Sequence, residues 1–139
     1  MPVKITNTDG YLTYSPVHIG PADDVLSERL DVSALDSNQV DSNGFIIPGA
    51  VLKLENQLLV PVDGTANEGQ QARVVLYPVK VADSNSGADL AAANDVDVVS
   101  LLIGTLDRGI MEDNLDRALS ANEVTALNES RMVITDPVS

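Results

Sequence analysis

The chain has 139 residues, 44% of them hydrophobic but only 3% aromatic, and it has no cysteine or tryptophan. That length points to one domain with a core of Val, Leu, Ile and Ala, and the missing cysteines exclude a disulfide framework, a thiolate nucleophile and a thiolate metal site. The formal charge of -13 comes from 21 acids against 8 bases, with eleven acids against three bases after residue 80 and no basic stripe anywhere. Nucleic-acid binding, which rests on clustered Lys and Arg, and attachment to anionic membranes are therefore not expected.

Residues 1 to 30 read as an extended N-terminal arm. Val3 and Ile5 alternate, Thr8-Asp9-Gly10 signals a turn, and DGYLTYSPVHIGPADD follows with two of the three tyrosines, the only histidine and two of the seven prolines. Proline fixes φ and removes a backbone donor, so this stretch neither extends a helix nor sits centrally in a sheet. Its apolar groups need a destination, within the fold or on a partner. The Asp- and Ser-rich passage 31 to 44 reads as a loop or short turns separating the arm from a β-rich body at 31–139.

In the body, Pro48-Gly49 turns the chain into a strand carrying Ala50, Val51, Leu52 and Leu54. Residues 57–65 return as its hairpin partner across a tip at Glu55-Asn56. A third strand spans 72–83, with Pro78 demanding a bulge or an edge. Residues 84–95 form a polar, alanine-rich connection, and 96–106 is the most strand-like run that follows. The period then changes: Ile110 or Met111, Leu115 and Leu119 recur at helical spacing over 109–120. Ser120 and Glu123 fit a capping box that opens a short helix with Val124 and Leu127 on one face. Residues 131–135 close the chain as a strand. The expected class is mainly β with one or two short helices (α+β).

Signals for chemistry are thin. His18 would have to supply any Ser-His-Asp arrangement, yet no Gly-x-Ser-x-Gly elbow or other nucleophile cue exists, so a partly buried contact residue is the simpler reading. The run from Asp83 fails the calcium-loop pattern, because Gly87 falls at its fifth position and Asn94 at its twelfth. Phosphate-loop glycine spacing is absent, and neighbouring acids such as Asp23 and Asp24 suit a solvated surface better than a catalytic pair. The expectation is a non-enzyme without a cofactor or metal. No signal-peptide core or membrane-length apolar run is visible, so the chain reads as soluble and unexported.

An extended arm on a small acidic body suits assembly by strand addition, in which Leu12, Tyr14, Val17 and Ile19 would serve as anchors. Phe45, Ile46 and Ile47 are either the edge of the core or a patch between subunits, and Arg108 beside Asp107 could pair across a subunit boundary.

Several short motifs also occur in a suggestive order: Tyr14-Ser15-Pro16 in the arm, the strand start from Pro48 to Leu54, Asp63-Gly64-Thr65, an apolar strand ending at Ala82-Asp83, and Gly104-Thr105-Leu106 late in the body. In these the chain resembles the lambda-type head decoration proteins of tailed bacteriophages over most of residues 11 to 135. It departs from them in the acidic passage 31–44, the capped helix near 120–129 and the lack of tryptophan. The resemblance implies a compact β-tulip-like body that binds the outer capsid surface of the expanded head as a homotrimer and cements it, made in the host cytoplasm. The implied partner is the major capsid protein, met by an arm carrying Tyr11, Leu12, Tyr14, Pro16, Val17, His18 and Ile19. Phe45, Ile46, Ile47 and Arg108 are then candidate trimer contacts. The alternative is another phage structural module, such as a tail or fibre component.

Overall fold

The computed structural model describes residues 5–6, 12–63, 72–81, 96–130 and 132–135. Its backbone is organised by two long strands, β3 (His18–Leu30) and β7 (Val96–Asp107), paired antiparallel from Leu30 opposite Val96 to His18 opposite Leu106. The register shifts between Ile19 and Val25, where Pro21 has no N–H to give the ladder.

Between these strands run β4 (Val51–Glu55), β5 (Leu58–Pro61) and β6 (Arg73–Val75). The order β3-β5-β4-β6-β7, with β3 also paired to β7, closes five strands into a small barrel. Its narrowest seam is the parallel pairing of Leu30 with Leu59, reinforced by the Asp31 N–H donating to the Leu59 carbonyl at 3.0 Å. β8 (Met132–Thr135) continues parallel along β7 beyond β6, from Gly104 opposite Met132 to Asp107 opposite Thr135. Closure removes edges and concentrates aliphatic side chains inside: Val17, Leu30, Leu52, Val74, Leu101 and Leu106 are fully buried.

The N-terminal boundary differs from the expected one at residue 30. Residues 18–30 are the longest strand of the barrel and Val17 belongs to its core, so the arm–body division falls before Tyr14 instead. The run Leu26-Ser27-Glu28-Arg29-Leu30 does alternate, but one of its inner positions is Glu28, held at 2.9 Å by the buried Arg73. An ion pair at a core-facing position hides the period-2 signal that hydropathy would show. Ahead of the barrel, β1 (Ile5–Thr6) and β2 (Leu12–Thr13) pair, among the described residues, only with each other, antiparallel.

The passage 31–44 is also more than a separating loop. It folds into two 3-10 turns, Val32–Ala34 and Ser37–Gln39, and Val32 together with Leu35 and Val40, the residues that follow each turn, is buried in the core. The β4–β5 hairpin forms as expected, but its tip is Asn56-Gln57, both with left-handed φ of 53° and 68°, the geometry that matches strand twist. β6 ends at Val75, so Pro78 lies outside any central ladder, and Lys80 beyond it makes only an isolated bridge with Phe45.

Two short helices follow β7. In α1 (Arg108–Leu115) the Asp107 carboxylate accepts the Ile110 N–H at 3.1 Å, and Asp116, with φ 58°, stops the helix short of the expected residue 120. α2 (Ala121–Asn128) starts on the expected capping box: Ser120 Oγ accepts the Glu123 N–H at 3.1 Å and the Glu123 carboxylate accepts the Ser120 N–H at 2.8 Å. Arg117 grips the same buried carboxylate with both terminal nitrogens, at 2.8 and 3.0 Å.

Candidate functional site

Pro16 cannot donate to a ladder, so the chain between β2 and β3 must be held by other means. Side chains from distant elements hold it. Asn114 on α1, itself buried, donates from Nδ2 to the Ser15 carbonyl at 2.9 Å and to the Pro48 carbonyl at 3.3 Å, and its Oδ1 accepts the Ser15 N–H at 3.4 Å. The Tyr14 hydroxyl donates to Asp41 Oδ2 at 2.8 Å. The Asp107 N–H donates to the Val17 carbonyl at 2.9 Å, where β7 passes into α1. Residues 14–17 are thus clasped to the barrel by one amide, one carboxylate and one backbone donor.

Asp41 is buried because its other oxygen has work to do. Oδ1 accepts the Asn43 and Phe45 N–H groups at 2.9 and 3.0 Å, closing the turn that leads to the core residue Ile46. Burial, together with the hydrogen bond to and the charge of Asp41, pushes the Tyr14 hydroxyl well above its ordinary pKa of 10.0, so it stays a proton donor.

The clasp forms one wall of a surface groove of about 330 Å³. Tyr14, Ser15, Pro16 and His18 line it together with Pro48, Leu76, Tyr77 and Pro78. Two of the three tyrosines, three of the seven prolines and the only histidine therefore meet at one place, and among the described residues none lining it is Asp, Glu, Lys or Arg. On a chain of net charge -13 an uncharged patch this size stands out. Tyr77 is 55% exposed, a large apolar surface to leave in water. Next to the groove, Ile19 on β3 and Val133 on β8 both lie opposite Thr105, making an exposed apolar row at 45% and 60% exposure.

The proposed arm residues fall into different classes. Tyr11 lies outside the described residues, and Leu12 is in β2. Tyr14 and His18 are half-buried in the groove wall, while Pro16 and Ile19 are exposed. Val17 is fully buried in its own barrel and is not an anchor for a partner. Ile46 and Ile47 are likewise core residues, at 0% and 5% exposure, so of their two readings the core one holds and the trimer-contact one is corrected. Phe45 is half-buried beneath the Lys80 ammonium, 5.3 Å from the ring centre. Arg108 spends its Nε on Glu112, one turn along its own helix, at 3.3 Å.

Sequence reasoning missed Asn114, Asp41 and Tyr77. Nothing local marks Asn114 or Asp41, whose partners lie 99 and 27 residues away. Tyr77 did carry a signal, as the third tyrosine and the neighbour of a proline. Among the described residues no group of three or more His, Asp or Glu is placed to hold a metal ion, and no described helix is long and apolar enough to cross a membrane. Comparison with family models, curated proteins and solved structures found no match for this chain.

Proposed function

We propose that this protein is a bacteriophage capsid decoration protein, which binds the outer surface of the expanded head as a homotrimer through its N-terminal face and stabilises it. The observation that carries the reading is the division of labour in the chain: a closed aliphatic barrel with an acidic exterior, and an N-terminal strand pair outside that barrel next to an uncharged, exposed tyrosine and proline surface. Such a layout suits a molecule whose work is done by adhesion. The order of short motifs from Tyr14-Ser15-Pro16 to Gly104-Thr105-Leu106 supports the same assignment.

The energetics require no strong single contact. A ligand that binds only the expanded lattice stabilises it by RT ln(1 + [L]/Kd), about 2.7 kcal/mol per site at a hundredfold excess over Kd. Repetition over the shell multiplies that, and three N-terminal faces on one trimer add avidity.

The test is co-sedimentation of the full chain with empty expanded heads, with unexpanded heads and with isolated tails of the phage that carries it. Decoration requires pelleting with expanded heads alone. Binding to tails instead would favour the tail or fibre alternative, and binding to none would end the proposal. A chain starting at Tyr14 keeps Val17 and β3 and should retain the barrel's circular dichroism while binding heads more weakly than the full chain, by the share that β1 and β2 contribute. Removal as far as residue 20 would also strip a core residue and the end of the longest strand, and could not separate binding from folding.

A further inference from the structure

The groove between the clasp and Tyr77-Pro78 limits the backbone geometry a partner can bring. A strand-adding partner needs a row of N–H and C=O groups to pair with. Here much of the row is absent or committed. Pro16, Pro48 and Pro78 have no N–H, the Ser15 N–H and C=O and the Pro48 C=O are taken by Asn114, and the Val17 C=O is taken by Asp107. Among the other lining residues, the Leu76 N–H already donates to the Val99 carbonyl at 3.0 Å.

What the groove does offer is ring surface with hydroxyls at its margin. Tyr14 has its hydroxyl tied to Asp41 and is held in place as part of the wall, whereas Tyr77 is exposed and among the described residues has no hydrogen-bond partner. That chemistry matches a polyproline II segment. Such a segment has no internal hydrogen bonds, presents its carbonyls to donors, and packs its rings into apolar slots lined by aromatic residues.

Charge selects further. The lining is neutral, but the molecule around it carries 21 acids against 8 bases, so a segment flanked by Lys or Arg is attracted and an acidic one repelled.

We propose that this groove docks an extended, proline-containing peptide segment with basic flanks, in polyproline II conformation, with Tyr77 as its principal contact. Under the decoration reading, on which the identity of the partner rests, the segment belongs to the shell protein. This replaces strand addition as the recognition mode at residues 14–18.

The experiment follows the amide NMR spectrum of the full chain during titration with a lysine-flanked oligoproline peptide, and with a lysine-flanked glycine–serine peptide of equal length as control. Saturable shifts at Ser15, His18, Leu76 and Tyr77 with the proline peptide alone are expected. Tyr77→Ala, at a half-exposed position, should leave the rest of the spectrum in place and weaken binding at least about tenfold, the scale of one aromatic contact. Absent shifts, equal shifts with the control, or undiminished binding by Tyr77→Ala would overturn the proposal. So would concentration-dependent shifts at the same residues without peptide, which would assign the groove to a second copy of the chain. Because no shell is present, failure here is distinct from failure to bind heads.

Discussion

Asn114→Ala is the substitution that most sharply probes the clasp. The buried amide makes three hydrogen bonds, one at 2.9 Å and two longer at 3.3 and 3.4 Å, and the residue it holds is 99 positions away in sequence. Water can reach Ser15, which is half-buried, but the Pro48 carbonyl is buried and loses its Asn114 donor. One good bond, two weaker ones and an orphaned buried carbonyl together correspond to a loss of about 2–3 kcal/mol. In urea this lowers the unfolding midpoint by roughly 1–1.5 M at unchanged slope, and in heating experiments it lowers Tm by roughly 5–10 °C. Hydrogen exchange should localise the damage, with faster exchange at the Asp107 amide, whose acceptor is the Val17 carbonyl. Asn114→Asp is the discriminating control. It keeps the shape and the acceptor for Ser15, but sets a carboxylate against two carbonyls, and it should destabilise at least as much as Ala at neutral pH. Wild-type stability for Asn114→Asp would refute the reasoning, since the donating amide would then be dispensable.

Three further outcomes are expected. Burial opposes ionisation of Glu123, but its bonds to Arg117 and Ser120 outweigh this and hold the carboxyl below its ordinary 4.5, so its contribution is present above that pH and lost as pH falls through the depressed value; Glu123→Gln should cost about 2 kcal/mol near neutrality, with the gap to wild type closing in acid urea melts. Gly49 has φ +104°, and a Cβ there would stand 3.2 Å from Met111 Cα, so Gly49→Ala should lower stability by about 1–3 kcal/mol in the same assay. Gln57→Gly should raise it by about 0.5–1 kcal/mol, because Gln57 occupies a left-handed turn position at φ 68° that glycine adopts without strain.

These positions also show which parts of the fold were legible in the sequence. β7, the Ser120–Glu123 cap, the β4–β5 hairpin and β8 follow from local pattern alone, because each is specified by near neighbours. The hairpin tip is displaced by one residue because glutamine in a left-handed conformation carries no turn signature. β3 was hidden by Glu28, which reads as surface until Arg73 is brought opposite it. The 3-10 turns at 32–39 sit among Asp, Ser and Asn, whose turn signature is plain, while the burial of Val32, Leu35 and Val40 depends on a barrel wall built by other segments. At the candidate site, the concentration of Tyr, Pro and His near the N-terminus was visible, and so was its need for something apolar to rest on. That half of the answer lies within the chain itself, in Asn114, Asp41 and the barrel core, could not be seen without tertiary contacts.

A reconstruction by electron cryomicroscopy of expanded heads incubated with the protein tests the account most directly. It should show three-lobed density on the outer surface, with the groove face of each copy turned toward the shell and a shell segment lying along Tyr77. A bare shell, or barrels seated through the opposite face with the N-terminal strands pointing into solvent, would contradict it.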